Sequence, residues 1–301
     1  MGTRRYRLPT RRMDHATAYL MILPSFAFLA VFVLVPLYMA VEKSFTDWNF
    51  YLESGFVGLR NFRLVLQNEL FRASLVNGLK FVALIVPAQL VFSFLFAHVL
   101  KGLTGGLGVV VKTAVYVPTV ISGVVASTIF SFLLNYRAGL INMLLGAFGV
   151  GRIAFLAHPV WAVVSIAVPA LWLGFGYNSL VMYAGLINIP QTYYEAAAVD
   201  GAGAFTRLVR ITLPSMRNVG ILLAISLVTG TLQIFDLVFM MTGGGPLNKT
   251  LTPILFLYNN FRSLDRTMGY TVAGALIMML AITAINTVVF TLIRSQKSQD
   301  A

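Results

Sequence analysis

The chain has no cysteine and three histidines in 301 residues, with 10 acidic side chains against 22 basic ones. Without thiols it forms no disulfide, no thiolate metal site and no cysteine nucleophile. His15, His98 and His158 lie far apart, and no H-E-x-x-H or comparable ligand spacing occurs. No metal site is therefore expected. There is no G-x-x-x-x-G-K-S/T phosphate loop, which excludes ATP binding by that route. No Ser/His/acid set stands out either, so no catalytic residue is assigned and no cofactor is expected on this chain. Charge itself is scarce, at 11% of residues, against about 25% in soluble domains.

Apolar residues take the place of charge. They make up 58% of the chain, and the mean hydropathy is +0.83. Soluble domains hold about 45–50%. The composition is that of a membrane protein. The formal charge of +12 comes with little polar surface, so it reads as membrane topology and not as nucleic-acid binding.

A crossing helix needs about 20 mostly apolar residues. Six segments qualify: Thr17–Val41, Leu75–Leu100, Val109–Leu134, Val160–Asn188, Ser215–Thr242 and Met268–Ile293. The expected fold is all-α, a polytopic membrane protein with six transmembrane helices. Pro24, Pro36, Pro87, Pro118, Pro169, Gly230 and Gly274 interrupt them, which spanning helices tolerate where neighbours satisfy the freed backbone groups. Arg4, Arg5, Arg7, Arg11 and Arg12 place the N-terminus in the cytoplasm. Six crossings return the C-terminus, with Arg294 and Lys297, to the same side. The first apolar run exceeds the about 7–15 residues of a signal peptide, and it reads as a retained helix. The organisation expected is a basic arm (1–16), a membrane domain (17–294) and a short tail (295–301). The outer loop Glu42–Ser74 mixes charges and aromatics and is expected to fold as a small cap. Away from the span ends clear ionisable residues are nearly absent, with Asp236 inside, His98 at an inner end and Lys80 near an outer end. An ion-coupled carrier usually displays several paired intramembrane charges, so the chain reads as a conduit whose energy enters from a partner.

One polar segment stands out, "YYEAAAVDGAGAFTRLVRITLP" from Tyr193 to Pro214, within a cytoplasmic loop at 189–214. Gln191–Val199 suits a helix. Asp200-Gly201 is a turn signal, since Gly takes positive φ at no steric cost. Phe205–Ile211 suits a second helix, and Pro214 suits the start of the fifth span. Two readings fit: an amphipathic connector at the lipid interface, or a docking element. Glu195-Ala196-Ala197, Asp200-Gly201-Ala202 and Ile211-Thr212-Leu213-Pro214 closely resemble the signature loop of permease subunits of binding-protein-dependent ABC importers. Gly185-Leu186 and Ile189-Pro190 precede it as there. Leu208 stands where that family frequently has Phe. Leu23–Trp48 and Phe56–Leu66 look like the amino-terminal half of its sugar-uptake branch. Phe235–Thr250, with its Thr-Gly-Gly-Gly-Pro turn, resembles the carbohydrate permeases more narrowly.

The resemblance implies a type I ABC importer permease in a prokaryotic cell membrane. Its partners would be a second permease, an ATPase dimer that binds ATP and Mg, an extracytoplasmic sugar-binding protein, sugar and membrane lipid. It implies that Glu195, Ala196, Ala197, Asp200, Gly201, Ala202, Leu208, Ile211, Leu213 and Pro214 couple to the ATPase. A secondary transporter or channel, the alternative, would have no need of that loop.

In the fifth span Ser226, Thr229, Gln233 and Asp236 are spaced by three, four and three, which puts them on one helical face. Polar atoms facing lipid are costly, so this stripe is expected to face protein or a wet path. Trp172, Tyr177, Asn178 and Tyr183 add to it from the fourth span. Two roles are open: helix-to-helix hydrogen bonding, or a sugar path through Trp172, Tyr177, Asn178, Thr229, Gln233 and Asp236. Asp236 can instead pin a helix or a gate.

Overall fold

The computed structural model describes residues 12–49, 54–263 and 267–295. Arg4, Arg5, Arg7 and Arg11 of the basic arm and residues 296–301 of the tail lie outside the described residues. The first helix begins at Arg12, ahead of the expected Thr17. It comprises α1 (Arg12–Leu29), a π-helical turn (Ala30–Leu34) and α2 (Val35–Ser44). The cap follows. Thr46 and Phe56 form an isolated antiparallel bridge, and α3 (Arg60–Gln67) packs on the last helix of the chain. The buried Asn61 amide donates to the carbonyls of Ser44 (2.9 Å) and Thr46 (2.8 Å), which fixes the cap to the end of α2.

Then come α4 (Glu69–Gly102), α5 (Gly105–Val120), α6 (Gly123–Leu133), α7 (Leu140–Ala147) and α8 (Pro159–Ile187). The polar loop holds α9 (Gln191–Val199), α10 (Ala204–Arg207), a second π-helical turn (Leu208–Thr212) and α11 (Leu213–Ser215). The chain ends with α12 (Arg217–Leu232), α13 (Asp236–Met241), α14 (Pro253–Arg262) and α15 (Met268–Ser295). Among the described residues, five segments are long and apolar enough to cross a membrane: Thr17–Ser44, Glu69–Gly102, Pro159–Ile187, Arg217–Met241 and Met268–Thr291.

The sixth expected span, Val109–Leu134, is not one rod. It is the pair α5 and α6, bent by 96°. Ile121 is extended (φ −75°, ψ 134°) after Pro118, and the Ser122 hydroxyl accepts from Val125 N–H (3.3 Å) to start a new helix. A serine cap at an extended residue ends one helix and begins another. The fifth span is also interrupted. Gln233 caps α12, and the chain passes Ile234 and Phe235 before α13. The freed Ile234 carbonyl is taken by the Thr252 hydroxyl (3.0 Å). Broken backbone at membrane depth survives only where such partners exist.

Pro214 does not open the fifth span as expected. It lies two residues beyond a π-helical turn, as Pro36 does. Proline lacks an N–H and its ring clashes with the carbonyl four residues back. A widened turn relieves that conflict without ending the helix.

Three apolar clusters form among the described residues. The first gathers Phe71, Phe81, Ile166, Val238, Leu255 and Tyr270. The second gathers Ala97, Met182, Leu186, Ile189, Met216 and Leu223, beside the polar loop. The third joins α4 to α12 through Val86, Val228 and Leu232. Lipid is as apolar as leucine, so helices associate mainly through close packing and interhelical bonds. α8 meets α5 at Gly176, where a Cβ would strike the Val115 carbonyl and come 2.8 Å from Tyr116 Cα.

Candidate functional site

The polar loop is a folded element. α9 ends in a Schellman motif: Ala202 N–H donates to the Ala197 carbonyl (2.8 Å) and Gly201 N–H to the Ala198 carbonyl (3.1 Å). Gly201 sits at φ +74°, a conformation that costs an L-residue about 1–2 kcal/mol. This is the turn that Asp200-Gly201 signals in the sequence. A second helical segment starts at Ala204 and runs through the π-helical turn to Ser215.

The two arms are clamped together. The Tyr194 hydroxyl meets Thr212 Oγ1 at 2.9 Å, and Lys101 at the end of α4 lies 4.9 Å over the Tyr194 ring. Tyr194 and Ile211 pack on the second core, against residues of α4, α8 and α12. Any force on the loop therefore reaches three membrane helices. Sequence reasoning passed over Tyr194, Thr212 and Lys101 as a set, because Tyr194 lies 18 residues from Thr212 and is separated from Lys101 by α5, α6, α7 and α8.

The loop's other face is open. Glu195, Ala196, Asp200 and Pro214 are exposed, and so are the apolar Leu213, Val199 (89%) and Phe205 (77%). Ala197, Ala202, Leu208 and Ile211 are half-buried. A cleft of about 410 Å³ separates the arms, between Ala196, Ala197 and Asp200 on one side and Arg210, Ile211 and Pro214 on the other. Large apolar side chains held out on a polar element mark a surface built to be covered.

The stripe residues are divided by the break in the fifth span. Ser226 and Gln233 are exposed on α12, while Asp236 opens α13. Asp236 packs on the start of α6: a Cβ on Gly123 would lie 2.9 Å from its Oδ2. Ser127 Oγ reaches the Asp236 carbonyl at 3.4 Å. The two helix breaks, at Ile121–Ser122 and Gln233–Phe235, are thus held side by side. Thr229 turns to α15, where Asn286 Nδ2 donates to its hydroxyl (2.8 Å). Asn178 is buried, bonded to the Gly174 carbonyl (2.7 Å). Trp172 is half-buried, with its ring 5.7 Å from Phe130. Tyr177 is half exposed, and Tyr183 accepts from Lys112 Nζ (2.9 Å). Of the residues assigned to a path, Tyr177, Gln233 and Asp236 are open, and the other three are engaged within the protein. Nothing in a 3-4-3 spacing marks Asn286 or Gly123 as the partners.

The family model described as "Binding-protein-dependent transport system inner membrane component" matches residues 1–297. The trehalose/maltose transport system permease protein MalF of Thermococcus litoralis is 32% identical over 256 residues, covering 85% of this chain and 86% of that protein. The sn-glycerol-3-phosphate transport system permease protein UgpA of Yersinia enterocolitica is 31% identical, covering 90% and 92%. The fold matches a crystal structure of a bacterial ABC transporter involved in importing the acidic polysaccharide alginate. The TM-score is 0.79 at 22% identity, over 94% of this chain and 96% of that one.

Proposed function

The chain belongs to the family of binding-protein-dependent transport system inner membrane components, and from that premise we propose that it is the permease subunit of an ATP-driven sugar importer. It is a multi-pass membrane protein that forms half of the translocation pathway. Relatives named for maltose, lactose and glycerol phosphate support a carbohydrate or polyol cargo. A second permease completes the pathway, and an extracytoplasmic binding protein delivers the sugar. ATP and Mg are bound by a separate ATPase pair, and this chain performs no chemistry of its own. Both termini are cytoplasmic, in a prokaryotic cell membrane.

The observation that carries the reading is the clamped loop at Gln191–Ser215. Its exposed face of Glu195, Val199, Asp200 and Phe205 is the docking surface for the ATPase. Its buried face, through Tyr194 and Ile211, passes the motion to α4, α8 and α12. ATP-driven closure of the ATPase pair moves the loop and switches the pathway between its inner and outer openings. Tyr177, Gln233 and Asp236 line the sugar's route.

Uptake by membrane vesicles separates this from ion-driven transport. With internal ATP held constant, sugar uptake is expected to survive collapse of the proton gradient by an uncoupler, and to stop when internal ATP is removed. Uptake that ends with the uncoupler while ATP persists would assign the chain to the secondary carriers.

A further inference from the structure

A second cavity lies away from the stripe and touches the loop only through Val209, Leu213 and Pro214 of its second arm. This groove of about 570 Å³ runs between α4 and α12 and ends at the loop's second arm. Val91, Phe94 and Leu95 form one wall, and Leu213, Ile221 and Ala224 the other. Its one charged lining residue is Arg217. That side chain is half-buried, and its Nε and one terminal nitrogen are shielded, with no acceptor among the described residues. The shielded nitrogens give up their hydration here with no acceptor among the described residues in return. At 3.6 residues per turn, Arg217, Gly220, Ile221 and Ala224 lie about half a turn round α12 from Ser226 and Gln233. Ala224 closes the inner end of the groove, and the exposed Val91, Leu95 and Leu213 mark where it opens to the surface.

We propose that the groove seats an anionic phospholipid of the cytoplasmic leaflet, with its phosphate on Arg217 and an acyl chain along α4 and α12. The lining carries one positive charge and no carboxylate, and the rest is hydrocarbon, which is the complement of such a molecule. Arg217 follows the cytoplasmic loop directly, at headgroup level. A guanidinium on this wall can give a phosphate a charge-assisted hydrogen bond. Val209, Leu213 and Pro214 of the loop form part of the wall, so the bound lipid braces the segment that carries the ATPase's motion. The site rests on the loop being cytoplasmic, and not on which solute is carried.

The test uses the whole transporter complex, reconstituted with phosphatidylcholine alone or with added phosphatidylglycerol. Retained lipid is read by native mass spectrometry and coupling by ATP hydrolysis. The wild type is expected to keep phosphatidylglycerol in preference, and Arg217→Gln to lose that preference by roughly tenfold, the worth of one charge-assisted hydrogen bond. Arg217→Lys should retain part of it. Gly220 provides an independent arm, because a Cβ there meets nothing within 4 Å. Gly220→Phe should fill the groove and reduce retention of both lipids while the chain still folds. ATP hydrolysis should lose its response to phosphatidylglycerol in both variants. If Arg217→Gln and Gly220→Phe hold phosphatidylglycerol like the wild type, the site is wrong. If Gly220→Phe blocks assembly with the second permease and leaves lipid retention unchanged, the groove is a protein interface and the proposal falls. Lipid retention is measured by mass, so a failure of the sugar-import reading would leave this result standing.

Discussion

At Gly201 the requirement is purely conformational. Its φ is +74°, yet nothing lies within 4 Å of a Cβ placed there. Side-chain size is therefore tolerated and backbone strain is not. Gly201→Val should cost the loop about 1–2 kcal/mol. Asn visits this conformation more readily, so Gly201→Asn should recover most of the function. The readout is sugar-stimulated ATP hydrolysis by the reconstituted complex, with Val well below Asn and Asn near wild type. Equal activity for all three would remove the turn from the coupling argument. Gln233 and Thr229 make a second contrast. Thr229 is bonded to Asn286, and such intramembrane pairs are worth about 0.6 kcal/mol on average. Thr229→Val should lower the melting temperature of the complex slightly and leave the sugar dependence alone. Gln233 is exposed and has no such tie. Gln233→Leu would leave a sugar hydroxyl unpaired, at about 1–3 kcal/mol. Uptake at low sugar should fall roughly tenfold, with no loss of thermal stability. A reversed pattern would place Gln233 in the packing and not in the path.

At the scale of elements, the clamp between α9 and the second π-helical turn decides whether the loop moves as one body. Tyr194→Phe keeps the ring under Lys101 and removes only the bond to Thr212. A net loss of about 0.5–1.5 kcal/mol is expected from one such bond. Assembly should persist while ATP hydrolysis becomes less dependent on sugar, which a comparison of rates with and without sugar-loaded binding protein measures. Rates that keep the wild-type ratio would show that the bond is incidental. The two helical arms and the turn of this loop were readable in sequence, because helix formers and an Asp-Gly pair act locally, whereas the π-helical turn ahead of Pro214 was not. The clamp was not, since Tyr194 and Thr212 meet only through the packing of Met182, Leu186 and Met216 beneath them. The break at Ile121–Ser122 escaped hydropathy for a related reason. Val109–Leu134 is mostly apolar on both sides of the bend, and hydropathy measures transfer to lipid, not direction. Pro118 and Ser122 were the available signals, and prolines at 24, 87 and 169 sit inside helices without such a bend. The stripe shows the same limit: its spacing is regular across Gln233–Phe235, where the helix is not.

At the scale of the molecule, that bend determines the topology. Among the described residues five segments are each long enough to cross, and α5 with α6 counts as a sixth only if the pair passes from one face to the other. A 96° bend is compatible with a broken crossing or with a loop that returns to its own side. The charge pattern favours crossing: Lys101 and the Arg207–Arg217 stretch then share the cytoplasmic side with the N-terminal arginines. The absence of cysteine makes this directly measurable, since any introduced thiol is the only one. Gly106 before the bend and Gly146 after it both have open space around a new side chain, as does Gly203 in the loop. In intact cells a membrane-impermeant maleimide should label Gly146→Cys and spare Gly106→Cys and Gly203→Cys. In inverted vesicles the pattern should reverse. Labelling of Gly106→Cys and Gly146→Cys from the same side would make α5 and α6 a re-entrant hairpin. The chain would then cross five times, the loop at Gln191–Ser215 could not share a side with the N-terminus, and the docking of an ATPase on it would fail with the topology.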